Sequence, residues 1–222
     1  MTQRADLVDQ VARRLLARRF GRPLRVGVDG VCGAGKTTFA DELCARIGAL
    51  GAPAIRLDSD GFHHARDIRY RQGRDSARGY YEDAYDFDAL AGRVLIPLGE
   101  GRLAYAPRVH DLETDEIFAD ASAEASADAD AVVVFDCTFL QRGRLRALWD
   151  EVVFLSTSID AAQGRGIARD AERMGGADAA RANYDARYMA ACRIYLEEED
   201  PLARASIVID NEEVAAPRIV RM

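Results

Sequence analysis

The 222-residue sequence lacks a long apolar run and has no paired-cysteine motif. Its cysteines form no CxxC pair, and none lies at zinc-ligand spacing from a histidine, which argues against a zinc site. Scattered thiols without a signal peptide are typical of a reducing cytosol. Apolar runs such as Ala131–Phe135 are too short to cross a bilayer, so we expect a cytoplasmic protein without a membrane partner. The four cysteines are Cys32, Cys44, Cys137 and Cys192.

Lysine is nearly absent, since 29 of the 30 basic residues are arginine and Lys36 is the exception. The net charge of −7 argues against a broad basic face for nucleic acid and leaves room for a local basic pocket. The length and a hydrophobic content of 49% suit one domain over residues 1–222. The sequence is compatible with a homo-oligomer.

Residues 1–20 carry apolar side chains at helical spacing, with arginines between them. Two aspartates in the same stretch argue against a mitochondrial transit helix, so we expect an amphipathic surface helix packed on the domain. The apolar positions are Leu7, Val8, Val11, Leu15 and Leu16.

Short apolar runs alternate with helical patterns along the rest of the chain. Such runs are typical of parallel strands buried on both faces, and the alternation predicts an α/β fold with helices on both sides of a parallel sheet. The predicted strands are Leu24–Val28, Ala54–Leu57, Ala131–Phe135, Val152–Leu155 and Ile207–Ile209. The predicted helices are Lys36 to Leu50, Phe87 to Leu98 and Asp160 to Arg173.

Residues 60–88 interrupt this alternation with a polar segment dense in Arg, Asp, Gly and Tyr. A segment of this length inside a domain is usually functional. Residues 119–130 are a low-complexity Ala/Asp/Ser stretch, to which we assign no chemistry.

The segment DGVCGAGKTT fits the GxxxxGK[ST] phosphate-binding motif, between a predicted strand and a predicted helix. Its glycines allow successive N–H groups to turn toward phosphate oxygens, and the helix N-terminus adds partial positive charge. The ammonium of Lys36 reaches the β- and γ-phosphates as a point charge, which an arginine fork is too wide to do. The hydroxyl of Thr37 is expected to bind Mg²⁺. The predicted nucleotide-binding residues are Gly30, Gly33, Ala34, Gly35, Lys36, Thr37 and Thr38.

Three aspartates follow predicted strands at their carboxyl ends, the edge where open α/β sheets bind ligands. Asp136 is placed to hold Mg²⁺ in the manner of a Walker B acid. Asp60 is our choice for the base that accepts the proton of an acceptor hydroxyl. Asp58 is the alternative base, or a further metal ligand. His63 follows directly and is expected to line the acceptor pocket.

Four stretches together resemble the uridine kinase-like branch of the P-loop kinases, which also contains phosphoribulokinase and the bacterial pantothenate kinases. They are DGVCGAGKTT, LDSDGFHH, GYYEDAYDFDAL with LGEGRLAYAPRVHD, and LWDEVVFLSTSIDAAQGRGIARD. The resemblance covers most of residues 24–210. It implies a three-layer α/β/α P-loop fold with a five-stranded parallel core sheet in the order 2-3-1-4-5. It also implies ATP, Mg²⁺ and phosphoryl transfer to a hydroxyl of a small molecule.

The resemblance also assigns residues and regions. Asp60 matches the acceptor-activating Asp, Tyr105 and His110 match a Tyr and His that face the base, and Arg165 and Arg169 match a lid over the phosphates. Residues 60–118 would form an inserted acceptor-binding region, and residues 160–185 the Arg-rich lid.

The chain departs from the family pattern at several positions. Asp136-Cys137 replaces the usual Glu-Gly, and Gly166 stands where a second adjacent Arg is common. The acidic residue that binds both ribose hydroxyls in uridine kinases falls near Tyr80 and Tyr81 in this sequence, and Asp83 or Glu82 could replace it. These departures leave the acceptor open between a nucleoside, pantothenate and a sugar.

We favour the 5′-hydroxyl of uridine or cytidine as the acceptor. A base could stack on the rings of Tyr80, Tyr81, Tyr85 and Tyr105. His110 could form a hydrogen bond with the edge of the base, and Asp83 or Glu82 could accept from the ribose hydroxyls. The alternative from another class is a regulatory ATPase or switch. A GTPase is excluded because the lone lysine at Lys36 leaves none for an NKxD motif.

Overall fold

The computed structural model describes residues 2–18, 20–118 and 125–222. The strands of its central sheet are β1 (Leu24–Gly30), β2 (Ala54–Asp58), β3 (Val132–Asp136), β4 (Glu151–Ser156), β5 (Ile207–Asp210) and β6 (Arg218–Arg221). The sheet has the order β2-β3-β1-β4-β5-β6, and all neighbours are parallel except β5 and β6. The first five strands therefore follow the 2-3-1-4-5 order that the resemblance implies.

Side chains of the central strands alternate between two buried layers. Val132 and Val134 of β3 face one layer, and Val133 and Phe135 face the other. Two long helices cover one layer, and helices from residues 77–99 and 189–199 cover the other, which gives the predicted α/β/α arrangement. Ile167, Ala180, Tyr184 and Met189 form a third, smaller cluster.

Helices α1 (Gln3–Leu16) and α2 (Lys36–Ala49) cover the first layer. The side chain of Thr2 caps α1, as expected for a helix start of this kind. Its apolar stripe is buried against the sheet, while Asp9 pairs with Arg46 of α2. The amphipathic pattern of residues 1–20 thus produces the surface helix that the sequence predicts.

The segment after β2 begins with a 3₁₀ turn (Ser59–Phe62), followed by α3 (Arg66–Arg69) and α4 (Ala77–Asp83). The helix predicted over Phe87 to Leu98 is helical throughout but contains a π-helical section. It comprises α5 (Phe87–Leu90), the π section (Ala91–Leu95) and α6 (Ile96–Gly99). A short antiparallel hairpin then pairs Ala104–Tyr105 with Ala125–Ser126.

The C-terminal part supplies the helices around the predicted lid. A 3₁₀ segment (Gly143–Leu148) precedes β4, and α7 (Ile159–Asp170) and α8 (Ala177–Asn183) follow it. A π section (Tyr184–Tyr188) continues α8 into α9 (Met189–Glu199), and α10 (Pro201–Arg204) leads to β5.

Within the described ranges, no helix has both the length and the apolar character needed to span a membrane. Residues 119–124 of the low-complexity stretch lie outside these ranges.

Candidate active site

Three glycines with positive φ shape the loop between β1 and α2. Gly30, Gly33 and Gly35 have φ of 150°, 82° and 89°, a region that side-chain-bearing residues rarely adopt. A Cβ on Gly33 would overlap the carbonyl oxygen of Ala162, so α7 packs directly on the loop. Gly35 begins α2 without a side-chain cap, which leaves the N–H groups of the first turn available to an anion. Ala34 presents its carbonyl to the buried amide of Asn211 at 2.8 Å.

Lys36 and Thr37 lie at the start of α2, where the motif requires them. The ammonium of Lys36 donates to the carbonyl of Val31 at 2.9 Å, which holds it over the loop. The hydroxyl of Thr37 donates to a carboxylate oxygen of Asp136 at 2.8 Å. Thr38 follows in the same turn and is exposed.

Asp136 ends β3, between β1 and β2, and is 4% exposed. Arg56 donates to its second carboxylate oxygen. The strand register places Asp58 beside Asp136 at the same edge of the sheet. A hydroxyl and carboxylates here are hard oxygen donors, the set that Mg²⁺ prefers, so the residues present fit that ion.

Asp58 is the last residue of β2, and Asp60 lies on the 3₁₀ turn that follows it. The carboxylate of Asp58 accepts from the N–H groups of Asp60 at 3.0 Å and Gly61 at 3.4 Å, which caps the turn. Burial raises the pKa of Asp60, and the nearby charges of Asp58 and Asp136 raise it further. Such a carboxyl group holds a proton more readily than an ordinary aspartate does.

A cavity of about 500 Å³ extends from the phosphate-binding loop, with Cys32 and Asp60 both in its wall. The remainder of the wall is largely arginine and tyrosine, and Asp60 and Asp170 are the carboxylates that line it. The arginines are Arg66, Arg69, Arg74, Arg169, Arg173 and Arg187. A small polar molecule in this cavity would lie between the loop and the base candidate.

The sequence matches the phosphoribulokinase/uridine kinase family over residues 25–210. The chain belongs to this family. It is 29% identical over 162 residues to a uridine kinase of Brevibacillus brevis, covering 70% of each chain. It is 25% identical over 154 residues to a uridine kinase of Leuconostoc citreum, covering 69% of this chain and 71% of the relative.

Two solved structures share the fold. A possible uridine kinase from Bacillus stearothermophilus gives a TM-score of 0.66 at 24% identity, over 91% of this chain and 97% of the other. The D-glycerate 3-kinase of Cryptococcus neoformans gives a TM-score of 0.58 at 14% identity, over 97% of this chain and 98% of the other. The chain is thus a P-loop kinase, a phosphotransferase with an alcohol group as acceptor.

Three of the acceptor residues predicted for this kinase, His63, Tyr80 and Tyr85, line the large cavity beside Asp60. His63 lies with its ring 4.6 Å from that of Tyr85, centroid to centroid. Burial and the charge of Arg69 lower the pKa of His63 to about 3, so the imidazole is neutral at physiological pH. The hydroxyl of Tyr85 lies 3.0 Å from that of Tyr80, which also lines the cavity.

The structure places three other predicted acceptor residues away from the wall of this cavity. Tyr81 packs its ring against Phe139. Asp83 is 2% exposed and accepts from Gln72 at 2.7 Å and from Arg71. Tyr105 is buried in the short hairpin. As direct contacts to an acceptor in this cavity, these three are not supported.

His110 lies on a neighbouring concavity of about 360 Å³, which also includes Asp58 and Asp60. Its ring nitrogen is 3.1 Å from a carboxylate oxygen of Asp115, and the side chain is almost fully buried. The backbone N–H of His110 donates to the carbonyl of Gly61 at 3.2 Å, so His110 contacts the turn that carries Asp60.

The two predicted lid arginines point to different places. Arg169 lines the cavity and donates to Asp170 and Tyr184. Arg165 donates to the backbone carbonyls of Asn211 and Glu212, on the loop after β5. The two arginines that match one lid over the phosphates therefore contact two different surfaces.

Sequence reasoning did not assign the remaining cavity arginines. Most come from the polar segment after Asp60, where the density of arginine was the available signal. Arg187 comes from the π section before α9, where no local pattern marks it. These residues are Arg66, Arg69, Arg74, Arg173 and Arg187.

Proposed function

We propose that this kinase transfers the γ-phosphate of ATP to a hydroxyl group of a small molecule bound in the 500 Å³ cavity. The observation that carries the proposal is that one cavity wall contains both the phosphate-binding loop, through Cys32, and the base candidate Asp60. Phosphoryl transfer depends on this proximity of donor phosphate, acceptor hydroxyl and proton acceptor.

In this proposal, Asp60 accepts the proton of the acceptor hydroxyl and orients its oxygen toward the phosphate. A raised pKa suits this role because it brings the carboxylate closer in basicity to the group that it deprotonates. Lys36 and the first turn of α2 bind the β- and γ-phosphates, and Arg169 faces the same space from α7.

Thr37 and Asp136, with Asp58 nearby, would hold Mg²⁺. The ion would neutralise phosphate charge during the transfer. Each residue presents oxygen at the edge of the sheet beside the loop.

The sequence favours uridine or cytidine as the acceptor. In support, two curated relatives are described as uridine kinases, and Tyr85 and His63 supply ring faces within the cavity. Tyr81, Asp83 and Tyr105, which were expected to contact the ribose or the base, do not line the cavity. Fewer residues therefore support a nucleoside acceptor than support a small-molecule acceptor in general. Pantothenate and sugars are the alternative acceptors.

A coupled assay for ADP release, with Mg²⁺ and ATP, tests the proposal. Uridine, cytidine, pantothenate and a set of sugars would each be added. We expect one acceptor to raise the rate of ADP release at least about tenfold above the rate with ATP alone. A bound acceptor hydroxyl is held in line with the phosphate, whereas a water molecule is not. ADP release that stays the same with every acceptor, and instead responds to a protein partner, would favour the regulatory ATPase.

A further inference from the structure

Three guanidinium groups surround the ring of Tyr70 in the cavity wall. Their central carbons lie 5.4 Å (Arg69), 4.9 Å (Arg74) and 4.8 Å (Arg187) from the ring centroid. The ring face attracts each cation but does not cancel its charge. Three like charges are therefore gathered at one place on the cavity wall.

Two of these groups are buried with hydrogen-bond donors unused. Arg69 is 6% exposed, and its Nε and Nη1 have no partner within the described chain. Arg187 is 5% exposed, and its Nε has no partner there either. A buried guanidinium donor without an acceptor is costly, so the arrangement favours an acceptor supplied from the cavity.

The nearby carboxylates do not fill this need. Asp115 is 3.4 Å from Arg69, but the same oxygen is closer to the N–H of Arg66 at 3.0 Å and to His110 at 3.1 Å. Asp170, on the cavity wall, is bound by Arg169 and Tyr184. His63 is neutral. The cavity wall thus contains six arginines and two carboxylates, which leaves an excess of positive charge.

Two other arginines of the cavity wall, Arg169 and Arg173, form a separate group. Arg169 and Arg173 both pair with Asp170, at 3.0 and 3.4 Å, and their charges also lower the pKa of Asp60 against the larger effect of burial, so these two lie toward the base candidate. Arg69, Arg74 and Arg187 gather around Tyr70 instead. The two clusters divide the cavity into a reacting end and a binding end.

We infer that Arg69, Arg74 and Arg187 around Tyr70 form a binding subsite for an anionic group of the acceptor, a phosphate ester or a carboxylate. This inference rests on the proposed kinase function and names its substrate class. The acceptor is then a hydroxyl compound that is already negatively charged, in place of a neutral nucleoside. Guanidinium forks suit both oxyanions because they donate two parallel hydrogen bonds.

Titration of inorganic phosphate into the protein tests the subsite directly. Saturating non-hydrolysable ATP analogue with Mg²⁺ is present throughout, so that the P-loop is filled. We expect saturable phosphate binding by calorimetry, weakened about tenfold or more in Arg69→Gln, since a charge-assisted contact is lost. Arg74→Gln, at an exposed position, should weaken it in the same direction without a risk to folding.

Arg102→Gln is the matched control, because Arg102 is exposed and pairs with Glu100. It should bind phosphate like the unmodified protein. No phosphate binding with the P-loop filled, or equal binding in all three variants, would overturn the subsite.

Pairs of acceptors that share a hydroxyl group and differ in charge test the role of the subsite in turnover. They are glycerol against D-glycerate and glycerol 3-phosphate, and ribose against ribose 5-phosphate, with uridine added. We expect a charged member to have at least tenfold higher kcat/KM than its neutral partner, and the carboxylate and phosphate members tell the two anions apart. Turnover of uridine or of the neutral members alone would refute the inference and leave the kinase function standing. If no acceptor raises ADP release while phosphate binding still depends on Arg69, the kinase function is contradicted and the subsite stands.

Discussion

The ring of Tyr184 fills the space beside Gly166 that a side chain on α7 would need. A Cβ on Gly166 would overlap the Tyr184 ring. The hydroxyl of Tyr184 donates to Asp170 at 2.7 Å and accepts from Arg169 at 3.2 Å. The glycine that departs from the family pattern is thus required by a tyrosine that holds the cavity end of α7 in place.

Gly166→Ala should destabilise the protein by about 1–3 kcal/mol, because the added methyl group displaces a ring that is 1% exposed. It should also lower kcat by moving Arg169. Urea unfolding and the ADP-release assay measure the two effects. Gly164→Ala is the matched control, since nothing lies within 4 Å of its Cβ position on the same helix. Equal stability of the two variants would contradict this account of Gly166.

The strands were predictable because burial on both faces leaves a local signature of apolar runs. β6 was missed because its sequence, Arg-Ile-Val-Arg, belongs to an exposed edge strand with no such run. Its pairing with β5 depends on tertiary position and not on local pattern.

The site was predictable where a motif fixes both residue and backbone. Thr37 and Asp136, both predicted from the sequence as magnesium ligands, lie in contact because the loop and the strand ends meet at one sheet edge. Side-chain direction in the polar segment was not predictable in this way. Tyr80 lines the cavity while its neighbour Tyr81 does not, since adjacent residues on a helix point about 100° apart.

Lys36→Ala should abolish measurable phosphoryl transfer and weaken ATP binding while the fold persists. In the structure the ammonium donates to a loop carbonyl, and the proposed function places it on the phosphates, where charge develops during transfer. Lys36→Arg should be nearly as inactive, because a planar fork does not replace a point charge. Activity within tenfold of the unmodified protein for Lys36→Ala, with unchanged thermal unfolding, would refute the loop assignment.

Asp60→Asn should lower kcat by roughly 10²–10⁴, as expected for loss of a general base, with little change in ATP affinity. Asp88→Asn is the matched control at an exposed position, where Asp88 pairs with Arg144. Asp58→Asn keeps the oxygen that caps the turn and should have a smaller effect. A larger loss of kcat in Asp58→Asn than in Asp60→Asn would mean that Asp58 is the base.

Arg169→Ala and Arg165→Ala should have different kinetic effects, although they lie one helical turn apart. Arg169 faces the cavity, so its loss should lower kcat by about 10–10³ and raise ATP hydrolysis relative to transfer. Arg165 binds carbonyls after β5, so its loss should act mainly on the KM for ATP. Steady-state kinetics of each variant separate the two, and indistinguishable profiles would contradict the division.

Asp150 links the N-terminal part of the chain to β4 through two arginines. It accepts from Arg22 at 2.8 Å and from Arg25 at 2.9 Å, and its side chain is 7% exposed. Burial by itself would raise the pKa of Asp150, but the hydrogen bonds from Arg22 and Arg25 outweigh it and hold the pKa well below its ordinary value. The carboxylate therefore contributes to stability in its ionised form.

Asp150→Asn should lower the free energy of unfolding by about 3 kcal/mol at pH 7, because two largely buried guanidinium groups lose their counter-charge. A carboxyl group with a depressed pKa in the folded state stabilises fully above its unfolded pKa of about 3.9 and loses this contribution as pH falls toward the folded value. The difference between the variant and the unmodified protein should thus be constant from about pH 8 to 5 and shrink below about pH 4. Urea unfolding at pH 7.5, 5 and 3.5 measures it, with Asp88→Asn as an exposed control expected to cost under about 1 kcal/mol. A difference that grows as the pH is lowered would show that Asp150 is protonated in the folded protein.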